Sequence, residues 1–414
     1  MANRRLRRGA FAVAMTLVAV AIFAWLVRPE GRPGLAPVPP GLSSTLELGM
    51  ASGPGSAAAM RETAPFAYRY QYLAGSVTDG WMSWEPNGEF VSSYIRESRA
   101  AGMTPVFSYY VLQQSVTGDG SEQARLERGL KDPVLVARYL EGLTLFFERA
   151  ASAGGPVVLH LEPDLWGFAH QAANSDDAGH VPVAMPATAG QPGTLAGLAR
   201  EIVAMRDRTA PNVLIAYSLS NWGTGHDFTY GHFTDAEVRV FAESEAAFYR
   251  SMGARFDLFF GEFSDRDAGY KQAVDGDHGA SWWDETDFRQ HAAFIGTFGR
   301  ATGLRAMLWQ IPFGNTLMAA MDNTRGHYQD NRVEWLLGAG SEAHLRAYTE
   351  AGVIALLFGR GADGATDARD AQRDGITNTR TTDAAAIPSY SADDDGGYFR
   401  ARAAAYYAAL VRVP

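Results

Sequence analysis

Short apolar runs alternate with longer amphipathic segments over most of the chain. Eight runs have strand character: Leu46–Ala51, Phe66–Leu73, Thr104–Leu112, Pro156–Leu161, Asn212–Leu219, Phe256–Phe260, Arg305–Ile311 and Gly352–Phe358. Most are rich in β-branched or aromatic residues and are entered through Gly or Pro, as strands are. Between them, apolar residues recur at helical spacing in Glu89–Ala101, Pro133–Ala151, Thr194–Arg208, Thr234–Met252, Asp284–Thr302 and Ser341–Ala351. Strands that alternate with helices pair in parallel. Eight such units predict an α/β chain folded as a single-domain (β/α)8 barrel over residues 44–414. The gap between the first two runs leaves room only for a small helix near Ser56–Arg61. An open doubly wound sheet is the alternative architecture, but no dinucleotide-binding fingerprint follows the first run.

The helix-to-strand turns repeat one device. Gly102, Gly154, Gly253, Gly303 and Gly352 each stand just past a helical segment, at the position that ends a helix with positive φ. The turn before the fifth run departs from this and stops its helix with Pro211.

The N-terminus has a different pattern. Arg4, Arg5, Arg7 and Arg8 precede an uncharged run from Ala10 to Val27. Eighteen residues at about 1.5 Å each span roughly 27 Å, close to a bilayer core. A basic cluster stays in the cytoplasm, so the body is expected on the exported side of the cytoplasmic membrane. No small-residue cleavage site follows the run, so residues 1–27 are expected to be a retained signal anchor, with a cleaved signal peptide as the alternative. Residues 28–43 carry five prolines and several glycines and are expected to form a stiff linker.

Composition narrows the function. The chain has 414 residues, 47% of them hydrophobic, and a formal net charge of −10. It can bury a large core, and it lacks the basic bias of a nucleic-acid partner. With no cysteine, disulfides, thiolate metal sites and a cysteine nucleophile are excluded. No cofactor or resident metal is expected. The acidic stretch Asp363–Asp374 and the run Asp393-Asp394-Asp395 do not have calcium-loop spacing and read as solvated loops.

In a (β/α)8 barrel the chemistry sits at the C-terminal strand ends. The fourth run ends His160-Leu161-Glu162-Pro163-Asp164-Leu165-Trp166. Alternation puts His160, Glu162 and Asp164 on one face, either as a hydrogen-bonded layer inside the barrel or as a catalytic and binding set. The sixth ends Gly261-Glu262-Phe263-Ser264-Asp265-Arg266-Asp267, where Asp265 to Asp267 also suit a salt-bridged loop. Glu162 and Glu262 are the first candidates for a catalytic carboxyl pair, Asp164 and Asp265 the reserves. Other strand ends offer Arg69 and Gln71, Tyr110, Asn221 and Trp222, Trp309 and Gln310, and Asn315. Together with His160 and Trp166 they form the expected substrate-binding set. Single aromatic residues are more often core than platform. Their concentration at strand ends, beside amide and guanidinium groups, suits the apolar faces and hydroxyl edges of sugars.

A barrel pattern with Glu162-Pro163 at the end of the fourth strand resembles the glycoside hydrolase superfamily of barrels. In its large retaining clan, a Glu at that place, usually preceded by Asn, is the acid/base, and a Glu ending the seventh strand is the nucleophile. Here Leu161 precedes Glu162, and the seventh strand ends Trp309-Gln310-Ile311-Pro312 with no carboxylate. Other barrel glycosidases pair carboxylates from the fourth and sixth strands, which matches Glu162 with Glu262. The run Glu162-Pro163-Asp164-Leu165 is also similar to a Glu-Pro-Asp-Ser motif of family-6 cellulases. The resemblance implies a glycosidase acting on an extracellular or envelope polysaccharide, with Glu162 as acid and Glu262 as nucleophile or base. Two other readings stay open: a non-catalytic carbohydrate-binding barrel, and a metal-dependent hydrolase built on His160, Glu162, Asp164 and His226.

Overall fold

The computed structural model of the chain describes residues 34–318, 321, 323, 326–361, 366 and 395–414. Eight parallel strands close in sequence order: β1 (Glu47–Ala51), β2 (Tyr68–Ala74), β3 (Thr104–Tyr110), β4 (Val157–Leu161), β5 (Val213–Leu219), β6 (Leu258–Glu262), β7 (Arg305–Ile311) and β8 (Val353–Phe358), with β8 pairing back onto β1. All eight expected runs are strands, and the barrel rather than the open sheet is formed. The outer helices include α1 (Ala57–Thr63), α2 (Glu89–Ala100), α3 (Pro133–Ala153), α4 (Leu165–Ala173), α5 (Leu195–Thr209), α6 (Asp235–Ser251), α7 (Glu285–Thr302), α8 (Glu342–Glu350) and α9 (Tyr398–Tyr406), with further helical segments in the loops, among them Glu122–Leu130. The short first crossover does hold a small helix, α1. Gly102, Gly154, Gly253, Gly303 and Gly352 all have positive φ, as the turn pattern required.

Side chains sort by strand alternation into two apolar bodies. Outward residues pack with the helices into the larger core. Inward residues such as Tyr68, Tyr70, Val106, Val158, Leu258, Phe260, Met307 and Leu357 fill the barrel. The filled interior closes the barrel as a pore and leaves the rim of the strands as the place for a ligand. At the opposite end, the described part of the Pro- and Gly-rich segment lies against the barrel. Arg305 donates to the carbonyls of Ala36 and Pro414, and Val38 and Leu42 pack on the inner cluster. The expected membrane segment lies outside the described residues. Among those described, no helix is long and apolar enough to cross a membrane.

Two strand ends break the alternation. Glu162 and Gln310 have φ of 47° and 52°, values that non-glycine residues seldom adopt. At Gln310 the β7–β8 register also shifts, between Leu308 and Ile311. Both irregularities sit on the rim.

Gly49 on β1 is a tightly packed point of the barrel. A Cβ there would lie 2.6 Å from Leu357 Cδ2, 2.7 Å from Tyr68 Cβ and 2.9 Å from the Tyr68 carbonyl oxygen. Gly49→Ala is therefore expected to lower stability by about 1–3 kcal/mol through overpacking, read as a drop in the urea midpoint at unchanged slope.

Candidate active site

The site is built on β4 and β6. Along β4, His160 points inward and is fully buried. Its ring stacks on Phe260 with centroids 4.3 Å apart and meets Trp309 edge-on at 4.4 Å, while Nδ1 lies 3.1 Å from Ser108 Oγ. Burial drives its pKa down to about 3, so the imidazole is neutral and forms part of the floor. Alternation would send Glu162 inward next. Its left-handed backbone turns it aside instead. Glu162 Oε1 accepts hydrogen bonds from the Val111 and Leu112 backbone N–H groups at 2.9 and 3.0 Å, which ties the end of β4 to the loop after β3. Burial pushes the Glu162 carboxyl up to about 8, against the opposing effect of those N–H donors. Beside it stands Tyr139 of α3, whose phenol is raised well above its ordinary value by burial first and then by Glu162.

Asp164, two residues further on, takes the inward place. It precedes α4 but spends neither oxygen on capping that helix. Instead Oδ2 accepts a 2.6 Å hydrogen bond from the Tyr110 hydroxyl. Across the rim, Glu262 ends β6. Its position is set through its own carbonyl, which receives Asn221 Nδ2 at 3.2 Å and His291 Nε2 at 3.0 Å. The Glu262 carboxyl itself lies free along a cavity of about 600 Å³ that it shares with Asp164, Asp265, Tyr110, Trp222, Trp309 and Gln310. Gln310 Nε2 donates to the Tyr72 hydroxyl at 2.7 Å, so the β7 bulge lets two successive residues, Trp309 and Gln310, reach the same cavity.

The carboxyls of this cavity are held in different charge states. Burial, then the charges of Asp265, Asp164 and Asp227, push Glu262 up to about 8. Asp265 goes the other way: burial would raise it, but Lys271, with Nζ 2.9 Å from Oδ1, and Arg266 hold it below the usual carboxylate range. Asp164 is raised by burial and by Glu122 and Asp265, partly offset by Tyr110. At neutral pH the site therefore holds a protonated Glu262 beside an ionised Asp265, the pattern of carboxyls whose environments divide acid from base.

The structure brings Asp164, Glu262, Asp265, Tyr110, Trp222, Trp309 and Gln310 of the expected set to one cavity. It does not bring the others there. Arg69 points outward and is fully buried, paired with Glu97 at 3.2 Å and lying over the Tyr94 ring. Gln71, two residues along the same strand, accepts from the Tyr72 backbone N–H. Trp166 is core, donating to the Leu161 carbonyl at 2.9 Å and packing on Tyr217. Asn315 organises its own loop, accepting from Leu317 and Met318 and donating to the Asp395 carbonyl. Asn221 and His160 support the site from beneath. Residues 363–365, 367–374, 393 and 394 lie outside the described residues. His226 stacks on Phe241, remote in contact from His160, Glu162 and Asp164, so the four residues of the metal reading do not converge. Among the described residues no cluster of three or more His, Asp or Glu is arranged to hold a metal.

Sequence reasoning missed Asp227, Lys271 and Tyr230. Lys271 had a signal: the chain has only two lysines, Lys131 and Lys271, and this one follows directly on the acidic loop after β6. Asp227 lies five residues past Trp222, on a loop whose path no local pattern reveals.

No family model matches the sequence, and no curated protein matches it either. Solved structures that resemble the fold include a GH5-4 broad specificity endoglucanase from Bacteroides salanitronis, at 12% identity and TM-score 0.48, covering 89% of this chain and 95% of that one. A GH26 β-mannanase from Bacteroides ovatus matches at 13% identity and TM-score 0.41, covering 86% and 88%. An L-ribulose 3-epimerase matches at 13% and 0.40, covering 88% and 93%. Structural neighbours thus include barrel glycoside hydrolases, and they also include an enzyme of another chemistry. The closed strand order of this chain makes it a barrel in its own right.

Glu162 gives a direct test of this placement. Its carboxyl is mostly protonated at pH 7, so Glu162→Gln preserves its shape and its acceptor oxygen and is expected to keep near-native activity. Glu162→Ala strands two buried N–H groups and opens a void, with an expected cost of about 2–4 kcal/mol. The sign with pH follows from a folded-state pKa near 8, above the ordinary value of 4.5. The group's contribution to stability is complete at low pH and is lost as pH rises through about 8. Thermal melts from pH 5 to 8.5 should show Glu162→Gln gaining on the native chain as pH rises. Loss of activity by orders of magnitude in a folded Glu162→Gln would return this residue to the catalytic set.

Proposed function

We propose that the chain is a glycoside hydrolase acting on a polysaccharide on the exported side of the cytoplasmic membrane, with Glu262 as general acid and Asp164 as the opposing carboxylate. The observation that carries this reading is the convergence of Glu262 from β6 and Asp164 from β4 on one aromatic-walled cavity, with Glu262 kept protonated near neutrality. Glycoside hydrolysis asks for this pair: a carboxylic acid that protonates the leaving oxygen, and a carboxylate that attacks the anomeric carbon or takes a proton from the attacking water. Glu262 supplies the proton. Asp164, oriented by Tyr110, is the nucleophile or base. Asp265 stays ionised through Lys271, keeps the proton on Glu262, and offers negative charge to the oxocarbenium-like transition state. Trp222, partly exposed, offers apolar surface to the sugar, Gln310 offers an amide edge, and the buried Trp309 closes the floor beneath them.

The charge of the cavity favours a neutral sugar. Lys271 and Arg266 are committed to Asp265, and Arg332 to Asp330 at 2.7 Å, so an anionic sugar would meet more carboxylates than available cations. The export reading rests on the arginine cluster and the uncharged run of residues 4–27.

The test is turnover by the full chain in detergent on a panel of polysaccharides and aryl glycosides. Glu262→Gln and Asp164→Asn are each expected to lower kcat by roughly 10²–10⁴-fold while remaining folded. The rate should fall as pH rises through about 8, where Glu262 loses its proton. Asp265→Asn should move that alkaline limb to lower pH, because it removes a negative charge that holds the proton in place. A limb that ignores Asp265 would contradict the assignment of the acid. Glycan binding with no turnover on any substrate would favour the carbohydrate-binding barrel.

A further inference from the structure

A second cavity of about 600 Å³ adjoins the first. Its walls come from the loop after β5, at Thr229–Phe233, from the loop after β6, between Asp277 and Asp284, and from the first turns of α7 at Thr286, Asp287 and Gln290. Both cavities are lined by Thr229 and Tyr230, so a single ridge separates them. Tyr230 is 45% exposed on that ridge. Its hydroxyl bonds Lys271 Nζ, the same ammonium that holds Asp265. The ridge is thus fixed to the ion pair at the centre of the first cavity.

The far side of the ridge has the chemistry of a sugar platform. Trp282 is partly exposed and is held in place by a 2.7 Å hydrogen bond from Nε1 to Gln272 Oε1. A ring fixed at its edge offers its faces for stacking at little entropic cost. His232 and His278 line the same cavity, are exposed, and make no hydrogen bond to a described residue. The loops that bear these groups leave the C-terminal rim of the barrel, as the carboxyls do.

We propose that this second cavity is a distal subsite for the same polysaccharide, so that a chain crosses the Tyr230 ridge and is cut internally rather than from its end. The inference rests on the glycosidase reading for cleavage, but the binding it requires can be measured without turnover. A ligand confined to the first cavity would gain nothing from sugar units beyond those that the cavity of about 600 Å³ holds. A chain that runs over the ridge gains affinity with each unit that reaches Trp282.

The experiment uses the full chain in detergent carrying Glu262→Gln, with calorimetric binding of di- and hexasaccharides of β-1,4-linked glucose, mannose, xylose and N-acetylglucosamine. The expected result is that one hexasaccharide binds at least about tenfold more tightly than its disaccharide. Adding Trp282→Ala should erase most of that difference, and Trp282→Phe, which keeps a ring, should retain it. Chain-length-dependent binding that needs Trp282 supports the subsite even where the native chain turns over nothing, and the hydrolase reading alone would then fall. Equal affinity for short and long sugars, or a loss on Trp282→Ala that is the same for both, overturns the subsite while leaving hydrolysis intact. Failure of all the sugars to bind overturns the subsite as well. With a cleaved substrate, mid-chain products from the native enzyme agree with the proposal, and release of terminal units alone contradicts it.

Discussion

The arrangement of the site depends on one backbone turn, the left-handed conformation of Glu162 at the end of β4. A side chain that continued the strand would have entered the barrel mouth above His160. The turn instead directs the carboxyl to the Val111 and Leu112 N–H groups and anchors the loop after β3. That loop follows directly on Tyr110, so the same anchor fixes the phenol that orients Asp164. A positive φ at a non-glycine residue costs of order 1–3 kcal/mol, and here two backbone hydrogen bonds to a buried carboxyl offset it. Asp164 thereby becomes the β4 carboxyl that meets the cavity.

The second constraint is charge. Asp164, Asp227, Glu262 and Asp265 border one cavity, and their mutual repulsion in a poorly solvated place cannot be relieved for all of them at once. Lys271 relieves it for one. Its ion pair keeps Asp265 ionised, and burial together with that fixed negative charge raises Glu262. A single buried ammonium thus divides chemically similar carboxyls into a charged and a proton-bearing member. It also holds the Tyr230 hydroxyl, so the division of charge and the shape of the ridge between the two cavities share one anchor.

Beneath the rim the floor is apolar and aromatic. Phe260, Trp309 and the neutral His160 pack together, and burial keeps the imidazole uncharged. A protonated ring there would bring a cation under the carboxyls and lower the pKa on which proton donation depends. The polar groups that did not reach the cavity, such as Arg69 with Glu97 and Asn315 with its own loop, brace the strands and loops that carry those that did.

Local pattern was enough for the barrel. The eight apolar runs, the helical spacing between them and the glycines past the helices are set by period and by φ, properties that neighbouring residues decide among themselves. The same pattern placed Glu262, Asp164, Trp309 and Gln310 at strand ends, and those residues do meet. It could not place Glu162 or Arg69. Alternation assumes a regular strand, whereas Glu162 leaves the β region for backbone donors some 50 residues away in sequence, and Arg69 lies on the outward face, opposite Glu97 of α2. Nor could pattern find Asp227 and Lys271 as partners in the site, because loops after different strands meet only when the barrel closes. The chain's own periodicity determined the architecture and the rim. Which carboxyls share the cavity, and which of them keeps its proton, was decided by tertiary contact, since charge and burial act through space rather than along the sequence.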